Sequence, residues 1–146
     1  MIDNIRTYIA TCPYLEEYSA LLIDYLEDKD NAYSINNSPA TNPILSTDIM
    51  GNQEKQYLFT FDSKFNWNSE IQQNIDNLNF FENFSNWLED NNNNEVFPTL
   101  DGELEAIKIE ALTNGYMFQS NSNEAICRIQ CKLTYYKPYG YNEISL

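Results

Sequence analysis

A chain of 146 residues with 42 % hydrophobic content is long enough for one domain with a sizeable core and too apolar to be disordered. Eight Lys and Arg against 22 Asp and Glu leave a net charge of −14, which argues against counterion-release binding to nucleic acid and against an anionic membrane surface. The lack of any His removes Cys/His zinc sites, His-dependent catalytic triads and the usual pH switch.

The first residues, Met1 to Arg6, carry neither a basic region nor an apolar run, so no signal peptide is expected. No stretch of the chain is apolar for long enough to span a membrane. Cys12, Cys127 and Cys131 are an odd set, expected to be reduced in a cytoplasm. Ile2 to Thr11 predicts a short helix with Ile2, Ile5 and Ile9 on one face, stopped by Cys12-Pro13 because a residue before proline avoids the α region. Ala20 to Leu26 fits a strand by alternation, although Leu15, Tyr18, Leu22 and Leu26 also fit a helix. A turn-rich Glu27–Asn31 stretch follows, then a short paired strand over Tyr33–Asn36. Residues 37–53, with Pro39, Pro43 and Gly51, predict an extended loop. A loop of that length is usually functional, and Ile44, Leu45, Ile49 and Met50 are its candidates for touching a neighbouring molecule.

Gln56 to Phe65 predicts a strand with Tyr57, Phe59 and Phe61 on one face and Thr60, Asp62 and Lys64 on the other. Asn68 to Asn91 predicts one long helix, with Asn68 as N-cap and Glu70 in the first turn. The Asn91–Asn94 run ends it, since Asn favours turns and tolerates the left-handed conformation. On the helical wheel Ile71, Ile75, Leu78, Phe81 and Leu88 form one apolar side, and Phe80, Phe84 and Trp87 extend it. A helix on a sheet needs an apolar stripe roughly 100° wide. In its second half the arc approaches twice that, so either the chain buries this helix deeply itself or Phe80, Phe84 and Trp87 are candidate subunit-interface residues.

Leu104 to Thr113 predicts a strand with Ile107, Ile109 and Ala111 facing in and Lys108 and Glu110 facing out. Asn114-Gly115 signals a turn, Tyr116 to Gln119 a short strand, and Ser120 to Asn123 a polar loop. Ala125 to Tyr136 has the cleanest alternation: Ala125, Cys127, Ile129, Cys131, Leu133 and Tyr135 against Arg128, Gln130, Lys132 and Thr134. Residues 138–146 form a Tyr-rich tail. Together these elements predict a single α+β domain over 1–146. It is a mainly antiparallel sheet with one long helix packed across it and a short N-terminal helix.

Little in the sequence argues for catalysis. Cys127 and Cys131, four apart on a strand, suit buried packing better than metal binding, and no His supplies a base for a thiol nucleophile. There is no EF-hand spacing and no glycine-rich phosphate loop, so no cofactor is expected.

The order of certain residues is more specific. It runs Cys12-Pro13, Ile23-Asp24-Tyr25-Leu26, Tyr33-Ser34-Ile35, and Gln56-Tyr57-x-Phe59 after Gly51. Asn74-Ile75-x-Asn77 and Phe80-Phe81-Glu82-x-Phe84-x-x-Trp87 come next, then Pro98-x-Leu100, Gly115-Tyr116, Ile129-Gln130 and Leu133-x-Tyr135-Tyr136. This resembles the small minor capsid proteins encoded beside head–tail joining genes in phages and prophages of low-GC Gram-positive bacteria, a group similar to tail terminator proteins. The resemblance runs from about residue 2 to residue 137 and includes no catalytic signature. It implies a virion protein assembled in the bacterial host cytoplasm, forming a homo-oligomeric ring, usually hexameric. Such a ring caps the head-proximal end of the tail tube and meets the tail tube protein and the neck connector. DNA passes through its lumen without specific binding, for which a strongly acidic chain is suited. A different class also fits: an acidic, monomeric immunity-type protein that neutralises a basic toxin.

Overall fold

The computed structural model describes residues 1–15, 21–23, 32–66, 71–120 and 124–141, excluding the side chains of 22, 65, 66, 71–78, 119, 120 and 124. The expectations placed on the Glu27–Asn31 turn, the Asn68 cap and Glu70 lie outside these residues, as do those on the side chains of Ile71, Ile75 and Leu78.

Helix α1 (Ile2–Ile9) is followed by strands β1 (Leu21–Ile23), β2 (Ala32–Ser38), β3 (Ile44–Thr47) and β4 (Gln53–Asn66). Helix α2 (Ile71–Asn93) precedes β5 (Glu105–Ala111), β6 (Tyr116–Ser120) and β7 (Glu124–Lys137). The fold is α+β, as the sequence predicts. Strands β2 to β7 pair antiparallel, and short β1 joins β2 in parallel, giving the path β1-β2-β4-β7-β5.

Two 14-residue strands, β4 and β7, form the centre and pair along their whole length, Gln53 with Lys137 through Asn66 with Glu124. Each is flanked by an edge broken in two. β2 pairs residues 58–64 of β4 and β3 pairs 53–55; β5 pairs 131–136 of β7 and β6 pairs 125–128. Residues 37–53 are therefore not one extended loop. They hold the end of β2, a break at the two prolines, and a β3–β4 hairpin. Likewise Asn114-Gly115 makes no hairpin: β5 and β6 run the same way along β7, and the dipeptide sits in the jog between them.

The inner face follows the predicted alternation. Phe59 and Phe61 of β4 are fully buried, as are Ile129, Cys131 and Leu133 of β7, with Ala125, Cys127 and Tyr135 nearly so. Ile107 breaks the pattern. It was expected to face in but is 42 % exposed, because the register with β7 slips between Ala106 and Lys108 and Ile107 is the extra residue of a bulge. Ile109, beyond the bulge, returns to the core.

Helix α2 lays Phe81, Phe84 and Leu88 on the sheet, all at or below 1 % exposure. Phe61 sits at the centre of the aromatic cluster, stacked on Phe84 at 4.8 Å and flanked by Tyr33 at 5.8 Å and Phe80 at 6.0 Å. Helix α1 buries Ile5, Tyr8 and Ile9 and packs on β1 and β2. The Tyr8 ring lies 5.2 Å from Trp87, and its hydroxyl donates to the Val96 carbonyl and accepts from Asn91 Nδ2. The apolar arc of α2 that looked surplus is thus taken up inside the chain. Phe84 lies against the sheet, Phe80 against Tyr33 and Phe61, and Trp87 against α1.

The Asn run does more than stop α2. The residue that turns left-handed is Glu95 (φ 57°), not an Asn. The Val96 amide bonds the Asn91 carbonyl at 2.8 Å and the Glu95 amide the Asn92 carbonyl at 3.2 Å, a Schellman closure. Asn92 meanwhile grips the sheet edge: its Nδ2 donates to the Ile109 carbonyl at 2.5 Å and its Oδ1 accepts from the Ile109 amide at 3.0 Å.

Candidate assembly surface

The residues predicted to meet a partner divide sharply. Phe84 has no exposed surface and cannot itself touch a partner, while Phe80 and Trp87 are half-buried against the core and present only part of their rings to the surroundings. Tyr8 of α1 covers Trp87, and Tyr33 of β2 covers Phe80.

Ile44, Leu45, Ile49 and Met50 are brought together on the β3–β4 hairpin and face water. Ile49 is 104 % exposed and Met50 73 %, with Ile44 and Leu45 near 40 %. Leu45 is the extra residue where the β3 register slips between Ile44 and Ser46, in a strand exposed along its whole length. Such exposure would be unremarkable on a loose loop, but this tip is tied down. Asp48 Oδ1 accepts from the Met50 amide at 2.9 Å and the Asn52 amide at 3.0 Å, and Oδ2 accepts from Asn52 Nδ2 at 3.1 Å. The Asp48 amide closes the turn on the Asn52 carbonyl. Asn52 Nδ2, and after it the backbone amides of Asn52, Met50 and Gly51, hold the Asp48 carboxyl below the usual carboxylate range.

The chain after β7 supports the tip from one side. The Tyr139 amide donates to Asn52 Oδ1 at 2.8 Å, and the Tyr139 ring lies over Gly51. Gly51 needs to be glycine twice over, for its φ of 89° and because a Cβ would meet the Tyr139 ring at 2.5 Å. Tyr139 is itself 78 % exposed, so Ile49, Met50 and Tyr139 stand out on one end of the sheet. Tyr141 extends the contact by donating to the Asp101 carbonyl at 3.3 Å. Of the Tyr-rich tail, residues 138–141 dock on their own chain.

The outer sheet face carries a second polar construction. Arg128 is forked on Asp62, Nε to Oδ1 at 2.8 Å and Nη2 to Oδ2 at 2.9 Å, and Asn36 Nδ2 donates to Asp62 Oδ2 at 2.8 Å. Phe118, the extra residue of a bulge in β6, places its ring 3.5 Å from the Arg128 guanidinium carbon. Lys132 pairs with Glu110 directly across the strands. Both cross-strand pairs join residues the sequence placed on the polar face.

The three thiols are buried, and burial pushes each of them up, Cys131 most strongly. Among the described residues no cluster of three or more His, Cys, Asp or Glu is arranged to hold a metal. No described helix is long and apolar enough to cross a membrane. No protein-family model matches the chain, and no curated protein sequence matches it.

Proposed function

We propose that this chain is a structural subunit of a phage tail or phage-tail-like particle, a tail terminator that caps the head-proximal end of the tube and joins it to the neck. The ordered residues between Cys12 and Tyr136 suggest the class. The structural observation that supports it is the hairpin tip, whose apolar side chains are held in place by an Asp48-centred turn before any partner arrives.

Magnitudes favour assembly on a template. Burying Ile49 and Met50 completely is worth about 1.5–3 kcal/mol each. Association costs roughly 4–15 kcal/mol. One tip per contact therefore reaches only the low end of that cost, and a lasting ring needs closure or the tube beneath it. Within the ring, the outward side of α2 suits a lumen that DNA slides through. Its sequence has no Lys or Arg, and Glu82, Glu89 and Asp90 are exposed.

Deleting the gene from the phage that encodes it tests the proposal. Overlong tails and unjoined heads are expected by electron microscopy. Ile49→Asp combined with Met50→Asp should reproduce that phenotype while the purified chain keeps its melting temperature. Normal infectious particles from the deletion would overturn it. The same exposed acids support the alternative of an acidic protein that neutralises a basic toxin. That reading predicts a soluble one-to-one complex that weakens as salt is raised.

A further inference from the structure

The jog between β5 and β6 contains the one Asn-Gly dipeptide in the chain, Asn114-Gly115. From its surroundings we infer that Asn114 is a site of spontaneous succinimide chemistry in the folded protein. Asn114 is exposed, and neither residue belongs to a strand. The jog is anchored just before the dipeptide, where the Leu112 amide bonds the Gln130 carbonyl at 2.7 Å and Thr113 Oγ1 accepts from the Gln130 amide at 3.1 Å. The Gly115 amide makes no hydrogen bond to a described residue. Gly115 also lacks the side chain that would shield its nitrogen.

The reaction needs only water. The deprotonated Gly115 nitrogen attacks Asn114 Cγ, the new C–N bond closes a five-membered ring, and ammonia leaves with the proton. Water then opens the ring at either carbonyl, giving aspartate or isoaspartate. Either product sets a carboxylate in the open cleft of about 500 Å³ lined by Phe81, Glu82, Ser85 and Asn86. Isoaspartate also lengthens the backbone by one carbon. The jog has no slack for it, since a Cβ on Gly115 would lie 2.5 Å from Phe81 Cβ, and Phe81 is 1 % exposed. Ageing at this site therefore loosens the seam between α2 and the sheet edge.

The full-length chain is incubated at mildly alkaline pH, folded or in urea, and mapped by peptide mass spectrometry. A gain of one mass unit at the Asn114 peptide in the folded chain, as well as in urea, and its loss in Asn114→Gln are expected. An intact Asn114 in the folded chain while the urea-treated chain converts would overturn the site. The isoaspartate fraction, separated chromatographically, should melt below Asn114→Asp. Equal melting would overturn the effect on Phe81.

Discussion

Replacing Asn92 by Ala removes the clasp between helix and sheet without touching the core. Asn92 satisfies both the amide and the carbonyl of Ile109, the two groups that face away from β7 on the open side of β5. Each orphaned group costs about 1–3 kcal/mol, toward the lower end here because the site is part-buried and water can reach it. Two such losses come to about 2–3 kcal/mol, and the better helix propensity of Ala returns up to about 0.7 kcal/mol. The net loss is about 2 kcal/mol, or roughly 4–8 °C in melting temperature for a domain of this size. Asn92→Asp should cost at least as much, because its carboxylate meets the Ile109 carbonyl oxygen. Asn93→Ala, one residue on and exposed, should be neutral or slightly stabilising. Urea denaturation with amide exchange at Ile109 measures all three. A change below about 0.5 kcal/mol for Asn92→Ala, with Ile109 exchange unaltered, would refute the clasp.

Phe84→Ala should cost about 3–5 kcal/mol by denaturant melts, and Phe84→Asp should abolish folding instead of dispersing an oligomer, because the ring is buried on Phe61. Arg128→Met leaves the 4 %-exposed Asp62 carboxylate without its cation, and a loss of about 3 kcal/mol is expected by the same assay. Ser63 Oγ is buried without a hydrogen-bond partner, so Ser63→Ala should stabilise by about 1 kcal/mol, visible as a higher urea midpoint. The depressed Asp48 carboxyl makes the hairpin tip pH-dependent. Its contribution is present above the unfolded value and is lost as pH falls through the lower folded one, so NMR should show Ile49 and Met50 loosening only in strong acid, and Asp48→Ala should show it at neutral pH.

How legible each element was depends on where its partner lies in the chain. β7 could be read residue by residue because a half-buried strand keeps a strict period of two. In β5 the same logic failed at Ile107, since one inserted residue reverses the phase and Ala106-Ile107-Lys108 carries no local mark of it. β3 was hidden for another reason: Ile44–Thr47 are all exposed, so its burial does not alternate at all. Pro39, Pro43 and Gly51 correctly marked a break and a turn, yet the pairing between them is set by β4. The Asn run showed where α2 stops. It did not show that Asn91 and Asn92 reach Tyr8 and Ile109, because those partners are fixed only in the folded chain.

Locating the outward apolar residues changes the physical basis of the assembly proposal. Leu45, Ile107 and Phe118 are each the extra residue of a bulge, and each is 42–50 % exposed. A bulge breaks the ladder that another strand needs for pairing, and it also turns a side chain outward. Asn92 adds to this by occupying the free backbone groups at Ile109. Both interrupted edges are therefore poor templates for strand addition, while the same irregularities present apolar side chains to the surroundings. Under the assembly proposal, contact would run through side-chain packing at discrete points, above all the Asp48-braced tip, and not through open-ended growth of the sheet. Blunted edges with one preformed knob suit a component that ends a tube better than one that propagates it, which is the property the terminator proposal requires.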